Sequence, residues 1–181
     1  MADDGDLSRV SRGDKDLAGV DLSYANLLGI DFRGADLSGA NFRCANLVKS
    51  DFSGANLDHA DFEGANMLGV TLERASLIKA NLHLANLTYA ELKGVVLSLS
   101  DLTMANLNRS DCREVNFEDA DLTSASFVES DLRGAKLSDA ICEGASFWSA
   151  NLDGAEVGFN AAFQHIWEKR LIQADQHDGD E

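Results

Sequence analysis

The chain has 181 residues, 45% of them apolar, which is enough to bury a core, and it carries a net charge of −16 with a pI near 4.4. That acidity excludes direct binding to nucleic acid or to an anionic membrane, and it leaves a basic protein surface as the natural partner. No run approaches the roughly 18 apolar residues of a membrane span, the first residues hold no apolar signal segment, and three cysteines without metal-type spacing require no oxidising compartment, so a cytoplasmic protein is expected.

Residues 1–14 read as a short polar lead in which Leu7 keeps the five-residue phase of the later chain and Arg12 breaks it. From residue 15 to residue 158 the chain repeats every five residues. Stepping from Leu17 to Val157 gives 29 centres, all apolar, with no insertion or change of phase. Two residues before each centre stands a small or β-branched side chain, Ala in 19 cases, with Lys15 as the exception. The residue just before the centre is Asp or Asn in 20 of the 29. Over these three positions the side chains alternate inward, outward and inward, as on a strand. Two residues remain to turn a corner, and eleven of the fifteen glycines, such as Gly29 and Gly54, occupy the second of them. A helix cannot keep this period. Steps of five would rotate the centres by about 140° each and leave no apolar face.

The motif A(D/N)LxG, seen in "GADLSGANFRCANL" from Gly34 to Leu47, resembles the pentapeptide repeats. The resemblance implies an all-β solenoid, a right-handed quadrilateral parallel β-helix with four pentapeptides per coil and about seven 20-residue coils here. It implies the fold far more firmly than the role. Some members bind type II topoisomerases such as DNA gyrase as DNA mimics and confer quinolone resistance, and others are adaptors. A period of twenty has separate support in the residues. The large apolar side chains just after the centres are Leu28, Val48, Leu68, Ile78, Val128 and Trp148, and five of these six lie multiples of twenty apart.

Beyond the repeat, residues 159–175 place Phe159, Phe163, Ile166 and Trp167 at helical spacing. This amphipathic C-terminal α-helix is expected either to cap the last coil or to pair with its copy in a homodimer. Residues 176–181 read as a disordered acidic tail.

Four pentapeptides per coil sort the outward residues onto four faces, named here by their first centres. The Leu17 and Leu22 faces each sum to −5, the Phe32 face to −3 and the Leu27 face to +1. The Leu27 face carries no carboxylate before its centres, only Asn and Ser, and its next positions hold Leu28, Val48, Leu68, Val128 and Trp148. These five form the candidate protein-contact face, while the Asn column serves either that contact or the corner backbone. A smaller apolar patch is formed by Ile78, Val96 and Leu99. Asp21, Asp61, Asp101 and Asp121 on the Leu22 face form the candidate acidic mimic face. On the Phe32 face, Asp31, Asp51, Asp111 and Asp131 stand beside Arg33, Arg113 and Arg133 as surface ion pairs.

No catalytic set assembles by position. His59 and His83 fall on different faces, Cys112 and Cys142 occupy centres, Cys44 points outward at a corner, and each repeat glycine is absorbed by a turn. Neither a metal nor a cofactor is expected. The first reading is a rigid protein–protein interaction module with an unidentified partner; the alternative is a DNA mimic acting on a type II topoisomerase.

Overall fold

A turn closes in every pentapeptide. The N–H of the residue three beyond a centre donates to that centre's carbonyl, as from Ala40 to Leu37 (3.0 Å) and from Ala80 to Leu77 (3.1 Å). In nearly all of these turns the second residue between them sits at positive φ, for example Gly39 at 65° and Lys79 at 58°, which is the type II pattern. The computed structural model describes residues 2–158, and within them these turns follow one another without a break from Leu17 onward.

Between the turns, the residue before each centre makes one parallel bridge to its counterpart twenty residues on. The series runs from Asp16↔Asp36 to Lys136↔Glu156 with no change of register. Every fourth pentapeptide is therefore stacked on the one before it. The bridges are isolated, and among the described residues there is no strand and no sheet. This overturns the expected all-β solenoid, the right-handed quadrilateral parallel β-helix. The reason lies in the residues counted as strand. The small residue and the centre on either side of the bridge are the last and first residues of consecutive turns, so only one residue per repeat is left to pair. The chain is a stack of turns joined by single bridges.

The pentapeptide Asn41–Ala45 shows where its backbone donors go. Asn41 N–H donates to Val20 O (2.9 Å), Phe42 N–H to Asp61 O (2.7 Å), Cys44 N–H to Glu63 O (2.9 Å) and Ala45 N–H to Phe42 O (3.0 Å). The fifth donor, Arg43 N–H, has no backbone acceptor and donates to the side-chain Oδ1 of Asn41 at 3.1 Å. The same bond recurs with Asp or Asn up the stack, as from Ser38 to Asp36, His83 to Asn81 and Thr123 to Asp121. At Ser76 and Ser126, which replace it, the coil below supplies the oxygen: Ile78 N–H donates to Asp58 and Val128 N–H to Asn108.

The centres and the small residues fill the interior. Phe rings twenty apart stack, Phe42 on Phe62 at 4.9 Å and Phe32 on Phe52 at 4.7 Å, while rings ten apart meet edge-on from opposite faces, Phe42 and Phe52 at 5.7 Å. At small positions held by serine, the hydroxyl donates to a carbonyl, as from Ser50 to Leu27 O (2.7 Å) and from Ser110 to Leu107 O (2.6 Å). No buried side-chain polar atom among the described residues lacks a partner.

The lead contains an element that its sequence does not advertise. Helix α1, Asp4–Arg12, is capped by Asp3, whose carboxylate accepts the Asp6 N–H at 3.1 Å, and it ends at Gly13 with φ 76°. Leu7 and Val10 pack against the core, and α1 covers the first coil's open edge. Asp6 accepts the Asp21 N–H (2.8 Å), Asp3 N–H donates to Asp21 O (3.0 Å), and Arg9 donates to Asp16 O (2.6 Å). The expected C-terminal helix and acidic tail lie outside the described residues.

The fifth donor supplies a test. Asn41→Ala, which leaves the Arg43 N–H without its acceptor, is expected to cost about 1 kcal/mol. Asn41→Asp, which keeps the oxygen, should cost a small fraction of that. Urea unfolding midpoints of the two variants give the comparison, and equal losses would count against the role assigned to the side chain.

Candidate functional site

The twenty-residue register turns each set of outward positions into a column with one residue per coil. On the Leu27 face the amides form part of a ladder. Asn46 donates to Asn26 (2.8 Å) and Asn86 to Asn66 (3.3 Å), while their oxygens accept the N–H groups of Val48, Thr88 and Leu68. The Asn column therefore serves the corner backbone. Beside it lie the five expected contact residues. Leu28 and Trp148 are exposed, at 57% and 69%, whereas Val48, Leu68 and Val128 are half-buried. The structure aligns all five, but the apolar surface it offers is greatest at the two ends of the column.

The Leu22 face carries Asp21, Asp61, Asp101 and Asp121 in one bridged column, with Asn41 and Asn81 between the first three and Asp101 directly beside Asp121. Each of the four Asp uses Oδ1 to accept the N–H two residues on. Asp61 also accepts from the Asn81 amide (2.9 Å) and lies 3.6 Å from Arg43, a guanidinium that pairs with Glu63. Asp101 and Asp121 take part in no ion pair among the described residues.

The Phe32 face is different. Arg33 grips Asp31 with two bonds (3.0 and 2.7 Å) and reaches Asp51 at 3.7 Å; Arg113 grips Asp111 (2.7 and 2.5 Å), and Arg133 grips Asp131 (2.9 and 2.7 Å). These guanidinium bonds hold Asp31, Asp111 and Asp131 below the usual carboxylate range, and the backbone N–H of Ser23 and of Ser38 does the same for Asp21 and Asp36. Part of the face's negative charge is thus matched on the spot.

Two exposed features are absent from the expectations drawn from sequence. On the corner between the Leu22 and Leu27 faces stand Tyr24, Leu84 and Met104, at 64%, 51% and 57% exposure. On the next corner Arg109 donates to the Tyr89 hydroxyl (2.7 Å), lies 5.8 Å from its ring centre and pairs with Glu129 at 2.9 Å. A signal for the first exists in the sequence, since Tyr24, Leu84 and Met104 are separated by multiples of twenty. They stand two positions after a centre, whereas the expected apolar column stands one position after.

Of the smaller patch, Leu99 is exposed and Ile78 and Val96 are half-buried. His83 meets the Thr103 hydroxyl at 2.5 Å, and no group of three His, Cys, Asp or Glu gathers in metal-holding range among the described residues. Cys112 and Cys142 are buried, which pushes both thiols up to about 12, and Cys44 is exposed. Phe159, Phe163, Ile166 and Trp167 lie outside the described residues.

Residues 16–54, 55–94, 65–103 and 100–139 match the family described as pentapeptide repeats, in eight copies. The chain belongs to the pentapeptide-repeat family. Among solved structures it is similar to a trypsin-treated variant of QnrB1, a plasmid-mediated fluoroquinolone resistance protein, with 25% identity over 83% of this chain and 82% of the other and a TM-score of 0.73. Full-length QnrB1 aligns at 22% identity and TM-score 0.73, over 84% of this chain and 85% of its own. HetL, a pentapeptide repeat protein involved in heterocyst differentiation regulation in the cyanobacterium Nostoc, aligns at 27% identity and TM-score 0.36, over 87% and 93%. No curated protein matches.

The depressed carboxylates predict a pH response with a definite sign. A group whose folded pKa lies below its unfolded value of 3.8 contributes stability above that value and loses it as pH falls through the folded one. Asp36→Asn keeps the acceptor for Ser38 and removes the titration. The Tm of the wild type is therefore expected to fall relative to that of Asp36→Asn as pH drops below about 4, and to hold level with it from pH 5 to 8. A difference in Tm that stays constant from pH 7 to pH 3 would contradict this.

Proposed function

We propose that the protein is a rigid binding module that acts on a type II topoisomerase as a DNA mimic. The observation that carries this reading is the likeness to QnrB1, a fluoroquinolone resistance protein, over more than four-fifths of both chains at a TM-score of 0.73. The charge distribution supports it. The four faces together sum to −12 over a stack of roughly 34 Å, taking about 4.8 Å per coil, which is one net charge per about 2.8 Å against about 1.7 Å for duplex DNA. On the Phe32 face Asp111 and Asp131 are held by that face's own arginines, so the Leu22 column, with Asp101 and Asp121 outside any ion pair among the described residues, is the surface best suited to meet basic DNA-binding residues.

A second reading places the contact on the Leu27 face instead, through Leu28, Val48, Leu68, Val128 and Trp148. The exposure of Leu28 and Trp148 favours it, and such a contact would tolerate salt, because apolar burial does not depend on charge.

Supercoiling by purified DNA gyrase separates the two. The wild type is expected to inhibit it, with an effect that weakens as salt shortens the screening length to about 3 Å near 1 M. Converting Asp21, Asp61, Asp101 and Asp121 to Asn keeps every backbone acceptor while removing four charges, and should weaken inhibition at least tenfold. If that variant inhibits as well as the wild type while Trp148→Asp does not, the contact lies on the Leu27 face and the mimic reading fails.

A further inference from the structure

The corner carrying Leu84 and Met104 is built against conformational preference. Both residues sit at positive φ, 58° and 59°, a region that disfavours any side chain with a Cβ and bulky ones above all. Glycine is conformationally free there, and the same column holds Gly64 and Gly144 at 63° and 68°. Neither side chain is compensated by burial, since both are more than half exposed, and the two are one coil apart with Tyr24 further along the same edge. Strained and solvent-facing apolar residues of this kind mark a surface shaped for contact. The flanks of the edge differ in charge. One side is the carboxylate column of Asp61, Asp101 and Asp121, and the other is the amide column of Asn66, Asn86 and Asn106. No loop projects anywhere in the uninterrupted register from residue 16 to residue 156, so corners are the only relief that part of the stack offers.

We propose that this edge is an apolar ridge that docks an amphipathic basic helix of a protein partner, with the helix's apolar stripe on Leu84 and Met104 and its Lys and Arg residues over the Asp101 and Asp121 carboxylates. The coil spacing of about 4.8 Å lies close to the 5.4 Å pitch of a helix laid along the stack, so successive helical turns meet successive coils. The charge asymmetry fixes which edge of the helix is basic. The ridge deepens the reading of the protein as a binder of a basic protein surface and rests on it. It adds a component that bare DNA mimicry lacks, an attraction that persists in salt.

Binding of a synthetic peptide to the full chain tests the ridge. The probe is a helix of leucine and lysine, about eighteen residues long so that it can hold helical structure, with leucine at i, i+3, i+4 and i+7. A scrambled peptide of the same composition is the control. The wild type is expected to bind the amphipathic peptide at least tenfold more tightly than the scramble, and to keep that ratio in 0.5 M salt. Leu84→Gly with Met104→Gly should abolish the difference while leaving Tm unchanged or raised. Leu84→Asn with Met104→Asn, a second pair suited to positive φ, should do the same. Equal binding of the two peptides by the wild type, or undiminished discrimination by both double variants, overturns the ridge. The gyrase assay fails independently. Loss of gyrase inhibition with peptide discrimination intact removes the topoisomerase and keeps the ridge, whereas inhibition without discrimination does the reverse.

Discussion

The structure depends on one local hydrogen bond, which at most centres runs from the backbone N–H of the residue after the centre to the side-chain oxygen of the residue before it. A repeat of five residues that spends four of them on turn ends and corners has five donors to place and backbone acceptors for four. In Asn41–Ala45 the fifth goes to the Asn41 side chain, and the pattern recurs along the stack. Asp and Asn offer the same oxygen at the same place, so the fold does not choose between them. Charge on each face is therefore adjustable without disturbing the coil. The Asp-rich Leu22 column and the Asn column of the Leu27 face are two settings of one structural position.

The corners show the opposite economy. Glycine is the easy occupant at positive φ, and sixteen other residues among those described take the same conformation at a cost of about 1–2 kcal/mol each. At four of these, Tyr89, Arg109, Glu114 and Glu129, a polar side chain gains a partner nearby, as Arg109 does with Tyr89 and Glu129. Leu84 and Met104 gain neither a polar partner nor burial, and with Tyr24 they make up the column's exposed large side chains. The stack's interior is uniform from coil to coil, and what distinguishes one region from another is carried at these outward positions.

Much of this was legible in the residues. The period of five identified every buried centre, and the spacing of Leu28, Val48, Leu68, Val128 and Trp148 revealed the register of twenty that the bridges display. The expected strands were not there, because Ala40 and Leu37, which alternate like strand residues, are also the two ends of a turn, and alternation does not reveal that double use. Helix α1 was hidden by Leu7, which keeps the phase of the repeat and disguised Asp3, the acidic first turn and Gly13 as a worn copy. The ridge was missed because solvent-facing Leu and Met at a glycine position look like ordinary surface until their φ angles are known.

An uninterrupted register also constrains how such a chain can change in length. Because the inward positions recur every five residues, losing one residue inside the stack would turn every later centre outward, much as a deletion shifts a reading frame. Losing five would restore the interior yet move each downstream column a quarter of the way round, carrying the acidic column onto the neighbour's side. Only a change of twenty leaves both the core and the order of faces intact. A surface assembled from several coils is thus inherited whole or lengthened by whole coils, while its chemistry drifts freely one side chain at a time.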